Sequence, residues 1–224
     1  MHTGNEKNRG YQKIKGAARA FNFDFRDKIV LDIGSSTGGF TQYALDHGAK
    51  KVIAIEKGTN QMAKPLRFNK KIELHEKTDI FAVETIELSS SGRSSRPSSR
   101  GSSLRPRSDC GCPSEDNSTV LITTPDIIVA DVSFISLTKV LEYAKNNLVN
   151  SKTEFLVMLK PQFEARSDQL NKGIVKNEKI RREIIKRFEQ WLKAHRYIIL
   201  DKRDNTLKGK TGNLERFYYL KLAK

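Results

Sequence analysis

The 224-residue sequence has two cysteines, one tryptophan, six prolines and four histidines, and each shortage excludes something. Cys110 and Cys112 are too few for a disulfide framework or a four-ligand zinc site of their own. His47, His75 and His195 have no metal-ligand spacing, so no metal is expected. The longest uninterrupted apolar run, Phe155 to Leu159, falls far short of the roughly 18 residues of a membrane-spanning helix. Met1 to Tyr11 is polar and lacks the apolar centre of a signal peptide, which makes the cytoplasm the expected compartment. Acidic residues are scarce as well: 26 Asp plus Glu face 41 Lys plus Arg, a formal charge of +15. That excess points to a polyanionic partner, nucleic acid first, and says nothing about fold.

What is present is unevenly distributed. Ser89 to Thr119 holds 12 Ser, 5 Arg, 3 Gly and 3 Pro in 31 residues, with Leu104 and the two cysteines as its only apolar members. Such a stretch cannot bury enough surface to offset its chain entropy, so it reads as a disordered insertion at 89–119 within a single domain spanning 1–224. Its five arginines face Asp109, Glu115 and Asp116, so it carries +2 of the charge and leaves +13 to the rest.

Outside it, Lys28 to Ile33, Lys51 to Glu56, Ile72 to His75, Asp126 to Val132, Glu154 to Leu159 and Tyr197 to Asp201 are short and rich in Val, Ile, Leu and Phe. They read as buried strands. Between them, Phe40 to His47, Leu137 to Asn147 and Glu178 to Lys193 carry apolar residues at helical spacing. The alternation predicts an α/β fold with a mostly parallel seven-stranded sheet. Arg216 to Leu222 follows Tyr197 to Asp201 with no helix between, so the last pair is expected to be antiparallel.

Asp32-Ile33-Gly34-Ser35-Ser36-Thr37-Gly38-Gly39-Phe40-Thr41 leaves the first strand and opens a helix, where ligands of open α/β sheets bind. Ser36 stands where a dinucleotide loop needs its second glycine, and no Gly-Lys-Ser/Thr follows, so a phosphate-cradling loop is unsupported. An acidic residue at the strand end with a glycine pair entering the helix suits a cofactor without phosphates, such as S-adenosylmethionine. Asp32, Gly34, Ser36, Gly38, Gly39 and Phe40 are the candidate cofactor residues. Glu56, closing the second strand, is placed for ribose hydroxyls, and Asp79, after the third, for the adenine end. Taken alone, the glycines could equally make only a tight turn.

Three runs carry a resemblance: Asp126-Ile-Ile-Val-Ala-Asp131-Val-Ser-Phe-Ile-Ser-Leu137, Leu159-Lys160-Pro161-Gln162-Phe163-Glu164-Ala165, and Gly212-Asn213-Leu214-Glu215. With Gly58-Thr-Asn-Gln61, Leu66-Arg67 and the loop after the first strand, they resemble the TlyA family of ribosomal RNA 2′-O-methyltransferases, a branch of the FtsJ-like methyltransferases. The resemblance implies a Rossmann-like methyltransferase fold, S-adenosylmethionine as cofactor, and ribosomal RNA or ribosomal subunits as partner. It also implies a Lys-Asp-Lys-Glu tetrad of Lys13, Asp131, Lys160 and Glu215, with Asp131 near the cofactor too. For the first position the family's Arg-Gly-Gly-x-Lys-Leu stands here as Arg9-Gly10-Tyr11-Gln12-Lys13-Ile14, and Lys15 is a substitute. Family members usually carry a small RNA-binding domain ahead of the methyltransferase, and with Lys13 already assigned to the tetrad none is expected in this sequence. That shifts weight to basic runs such as Lys176 to Arg187 and Lys202 to Lys210, although charge runs on helices are usually solvated faces.

The chemistry fits these residue types. Methyl transfer to a ribose hydroxyl needs in-line attack while the hydroxyl loses its proton. A lysine serves as base only if its pKa falls toward neutrality, which burial and a second lysine favour and acidic neighbours oppose. Lys160 would take or polarise the proton, Asp131 and Glu215 would orient it, and Lys13 would tune it and steady a substrate phosphate. The competing readings are a non-catalytic RNA-binding relative, a small-molecule methyltransferase, and the pore implied by the haemolysin label such proteins sometimes carry. The pore has no spanning helix or barrel-strand series to support it.

Overall fold

The computed structural model describes residues 8–86, 119–207, 209 and 212–223. Apart from Thr119, the expected insertion at 89–119 lies outside the described residues, as do Lys208 and Lys210 of the second basic run. In chain order the first half runs α1 (Arg9–Ala20), β1 (Ile29–Ile33), α2 (Gly39–Asp46), β2 (Lys51–Ile55), α3 (Lys64–Arg67), β3 (Ile72–His75) and β4 (Val83–Ile86). The second half runs β5 (Val120–Thr123), β6 (Ile127–Ala130), α4 (Leu137–Asn147), β7 (Glu154–Leu159), α5 (Pro161–Glu164), β8 (Leu170–Asn171), β9 (Ile174–Val175), α6 (Glu178–Ala194), β10 (Tyr197–Asp204) and β11 (Arg216–Leu222).

Seven strands form the main sheet in the order β10-β11-β7-β6-β1-β2-β3. All neighbours from β7 to β3 pair parallel, while β11 runs antiparallel to both β7 and β10. The seven runs read from the sequence are these seven strands, with the last antiparallel as expected. Both faces of the sheet are covered, which is why its central strands are apolar throughout rather than alternating. Along β7, Phe155, Val157 and Leu159 enter the layer under α4 and α6, beside Leu141, Ile185 and Phe188. The intervening Leu156 and Met158 enter the opposite layer, against Ile14 and Ala17 of α1 and Phe40 and Tyr43 of α2.

Several elements go beyond the sequence reading. β4 and β5 form a separate parallel pair on either side of the residues not described, and β8 and β9 form a two-residue hairpin. Asp131, expected inside a strand, sits one residue beyond the end of β6 because the ladder with β1 closes at Ala130. The largest addition is α1, capped by Asn8, whose side chain accepts a hydrogen bond from the Tyr11 N–H. It buries Tyr11, Lys13, Ile14, Ala17 and Ala18 along one side. Its start packs so closely on α2 that a Cβ on Gly39 would lie 2.3 Å from Asn8 Oδ1 and 2.8 Å from Gly10 Cα. Gly10 and Gly39 are therefore the contact that lets α1 lean across the carboxyl ends of the strands.

Candidate active site

A cleft of about 700 Å³ opens at the carboxyl ends of β1 and β6. This is where the strand order changes direction: the chain leaves β1 toward β2 on one side and β6 toward β7 on the other. Adjacent loops there diverge and leave a crevice.

The floor is the loop after β1. Gly34 has φ +78°, and a Cβ there would press within 3.1 Å of the Asp131 carbonyl, so glycine brings the two strand ends together. Ser36 also takes a left-handed φ of 46°. Its N–H donates to Glu56 Oε2 at 2.8 Å, and the Gly58 N–H donates to Glu56 Oε1 at 2.7 Å, so this carboxylate ties the two loops. Asp32 lies beneath the loop with no exposed surface. Thr41 donates a 2.6 Å hydrogen bond to its Oδ2, while Oδ1 has no hydrogen-bond partner among the described residues. Burial pushes the Asp32 carboxyl up to about 7 against the Thr41 hydrogen bond, and the nearby charges of Asp131 and Glu56 add to the rise.

One wall comes from α1 and the loop before β11. Lys13 Nζ lies 2.7 Å from Glu215 Oε2, and both side chains are almost wholly buried, at 8% and 3% exposure. The other wall follows β6 and β7. Lys160 Nζ is 2.6 Å from Asp131 Oδ1 and donates to Ser133 Oγ at 2.8 Å. Pro161 follows directly, so Lys160 ends its strand with the backbone turning into α5 and the side chain directed to the cleft. Phe134 and Phe163 stand at the rim with ring centroids 5.3 Å apart. Phe134 is 92% exposed and takes a φ of 64°.

The sequence-derived tetrad therefore converges: Lys13, Asp131, Lys160 and Glu215 all line the cleft. Lys15 does not; Lys13 takes the inward position on α1. Of the candidate cofactor residues, Gly34, Ser36, Gly39, Phe40 and Asp131 line the same cleft. Gly38 instead makes room for Met62 and Leu66, and Glu56 braces the loop from behind. Asp79 stands apart from the lining: it caps the 3-10 turn Ile80–Ala82 through the Phe81 N–H and pairs with Lys57 Nζ at 2.9 Å. Sequence reasoning missed Asn205, whose Nδ2 donates to Glu215 Oε2 at 3.4 Å, and Ser133 and Phe134 at the cleft. Ser133 and Phe134 adjoin Asp131 and were within reach of the motif; Asn205 had no local signal.

Comparison with known proteins agrees with this architecture. The profile of the FtsJ-like methyltransferases matches residues 7–222. The chain is 31% identical over 209 residues to the 23S rRNA (cytidine-2′-O)-methyltransferase TlyA of Campylobacter jejuni, covering 92% of this chain and 67% of that protein. It is 28% identical over 214 residues to the 16S/23S rRNA (cytidine-2′-O)-methyltransferase TlyA of Mycobacterium tuberculosis, covering 95% and 67%. A solved Streptococcus thermophilus structure carrying a provisional haemolysin label superposes with a TM-score of 0.78 at 26% identity, over 100% of this chain and 69% of that one. The chain thus spans about two thirds of the length of the curated relatives it matches. With a profile match over nearly the whole chain, a sheet of the expected order and a cleft at its switch point, the chain belongs to the FtsJ-like methyltransferase family.

Proposed function

We propose that this chain methylates a ribose 2′-hydroxyl of ribosomal RNA in the cytoplasm, with S-adenosylmethionine as methyl donor. The observation that carries the reading is that two lysine–carboxylate pairs, Lys13–Glu215 and Lys160–Asp131, line one cleft with the glycine loop. The ribosomal RNA substrate is supported by the relatives from Campylobacter jejuni and Mycobacterium tuberculosis, which are named as rRNA (cytidine-2′-O)-methyltransferases.

The residues at the floor fit the cofactor. S-adenosylmethionine supplies, when bound, an electrophilic methyl on a cationic sulfonium. Glu56 and Asp131 gather negative charge at the strand ends, which suits a cation and would repel a pyrophosphate. Ser35 lines the cleft, and its Oγ is a buried polar atom without a hydrogen-bond partner among the described residues, as expected where a polar ligand completes the site. Gly34, Ser36 and Phe40 would hold it against the loop.

The chain's own groups do the rest. Asp131 and Ser133 fix Lys160 Nζ at the lip of the cleft, where the neutral amine would take the proton of the attacking hydroxyl, or the ammonium would polarise that hydroxyl by donating to its oxygen. Glu215 fixes Lys13, whose charge steadies a substrate phosphate. Phe134 and Phe163 offer stacking faces to a base at the rim. The test is transfer of labelled methyl to unmodified ribosomal subunits by the wild type and by Lys160→Ala. Labelling that depends on Lys160 is the expected result. Equal labelling by both removes Lys160 from the mechanism, and RNA binding without any labelling favours the non-catalytic relative.

A further inference from the structure

The cleft is flanked by a track of cations that the reaction does not use. On α6, Lys179, Arg182, Lys186 and Lys193 recur at positions that share one face, spanning roughly 21 Å at 1.5 Å per residue. The opposite face buries Arg181, Ile184, Ile185, Phe188 and Leu192. Lys172 and Lys176 continue the track from the β8–β9 hairpin toward the cleft, and all six side chains are exposed. None of them forms an ion pair or side-chain hydrogen bond with a described residue. Among the described residues, some exposed cations are answered by acids, as in Arg26–Asp24, Lys57–Asp79 and Lys202–Glu189, and others, such as Lys50, Lys70 and Lys71, are not; the track is set apart by its alignment along one helix face beside the cleft. On α6 Glu178 is taken by Arg181, which leaves Glu183 as a neighbouring acid at the flank of the stripe.

The track is also fixed to the catalytic loop. Gly173, at the hairpin tip, lines the cleft. Asn213 stitches the hairpin to the loop carrying Glu215: its Nδ2 donates to the Gly173 carbonyl at 3.0 Å, and its Oδ1 accepts from the Val175 N–H at 3.0 Å. From α6, the buried Arg181 donates to the Leu214 carbonyl at 3.1 Å and to Asp204 Oδ1 at 2.6 Å. A ligand lying along the track is thus registered against Glu215 and Lys13 through short, largely buried links.

We propose that this hairpin-to-α6 track binds the phosphate backbone of the RNA flanking the target nucleotide. The inference rests on the proposed reading for its choice of RNA. A row of unneutralised cations leading from a cleft that takes a nucleotide matches a polyanion in sign and in linear extent, and phosphate contacts set register without reading sequence.

The test compares two triple charge reversals of equal net change: K179E/R182E/K186E on the track, and K50E/K70E/K71E at the β3 edge, the far edge of the sheet from α6. Binding of a short labelled RNA hairpin is followed by anisotropy across a salt series, and methyl transfer to unmodified ribosomal subunits is measured alongside. The track variant should weaken hairpin binding by ~10-fold or more and flatten the salt dependence by about 0.9 per lost phosphate contact. It should raise KM for subunits while kcat and cofactor affinity hold, and the edge variant should stay within about twofold of wild type. Equal losses in both variants, or no loss in either, overturn the proposal. If the wild type labels no subunits yet the two variants still separate in RNA binding, the track stands and the ribosomal substrate falls. If subunits are labelled and the track variant keeps its KM, the reverse holds.

Discussion

Asn205 holds Glu215 at two points: its backbone N–H donates to the Glu215 carbonyl at 2.8 Å, and its Nδ2 donates to Glu215 Oε2 at 3.4 Å. That same oxygen meets Lys13 Nζ at 2.7 Å. Gly209 closes the other side, where a Cβ would lie 2.9 Å from Glu215 Oε1. Glu215 therefore has its orientation set before any substrate arrives. Replacing Asn205 by Ala keeps the backbone bond and removes only the side-chain donor. The expected result is a stability loss of about 1–3 kcal/mol from a disturbed buried hydrogen-bond network. In steady-state kinetics kcat should fall ~10-fold with cofactor affinity unchanged, since a misplaced catalytic group affects the transition state more than cofactor binding. A proportional loss of cofactor affinity would reduce Asn205 to a packing residue.

The two lysine pairs differ in burial, and their variants should differ accordingly. Lys13 and Glu215 are nearly inaccessible, whereas Asp131 keeps 21% exposure beside Lys160. Lys13→Met strands a buried carboxylate, which costs about 3–5 kcal/mol, and the double variant K13M/E215Q should recover most of that loss. Lys160→Met should abolish activity at a smaller cost in stability, because water can reach Asp131. Urea unfolding of the wild type, Lys13→Met, Glu215→Gln, K13M/E215Q and Lys160→Met measures these stability effects. Full additivity of the Lys13 and Glu215 changes would mean that the pair is not coupled.

What the sequence made legible, and what it did not, follows from where the information sits. The seven strands could be read because both faces of the sheet are buried and each strand is a dense apolar run. Asp131 and Lys160 could be placed because the runs around them resemble the family's motifs, and they follow directly on such strands. The helix carrying Lys13 could not, since Gly10, Gly16 and several alanines dilute its apolar side. Of these, Gly10 is there for the approach to Gly39, a contact between segments far apart in sequence. Glycine at 39 was read as a cradle for the cofactor, and the structure gives it this second, packing reason. The links from Asn205, Asn213 and Arg181 to the loop carrying Glu215 are likewise tertiary, with partners that no spacing rule connects.

Asp32 gives the protein a pH-dependent stability of definite sign. Its folded-state carboxyl is raised from the ordinary 3.8 to about 7 by burial. The folded state thus binds the proton more tightly than the unfolded chain, and stability is greatest below about pH 4 on this account and declines as pH rises through 7. At 1.36 kcal/mol per pKa unit the whole decline amounts to up to about 4 kcal/mol. Asp32→Asn keeps an acceptor for Thr41 and removes the titration. Chemical denaturation at pH 5 and pH 8 should show the wild type losing stability across the interval, relative to a flatter Asn variant that is the more stable of the two at pH 8. An unchanged difference between the two proteins at both pH values would show that Asp32 stays ionised throughout.

Phe134 combines two costs that packing does not repay. A φ of 64° is left-handed, where a bulky side chain loses roughly 1–2 kcal/mol, and the ring is 92% exposed. Among the described residues its ring partner is Phe163 at 5.3 Å, at the mouth of the cleft. Strain held by an exposed apolar residue is a stability sacrifice in favour of a ligand. Asparagine tolerates the same backbone conformation, so Phe134→Asn should raise stability by up to ~1 kcal/mol. The same change removes a stacking face worth about 1–3 kcal/mol per base, so KM for the RNA should rise ~10-fold or more. Thermal unfolding and methyl-transfer kinetics on the same preparation decide the matter. Opposite movement of stability and activity identifies a substrate-facing ring, whereas a fall in both would place Phe134 among the residues that hold the fold.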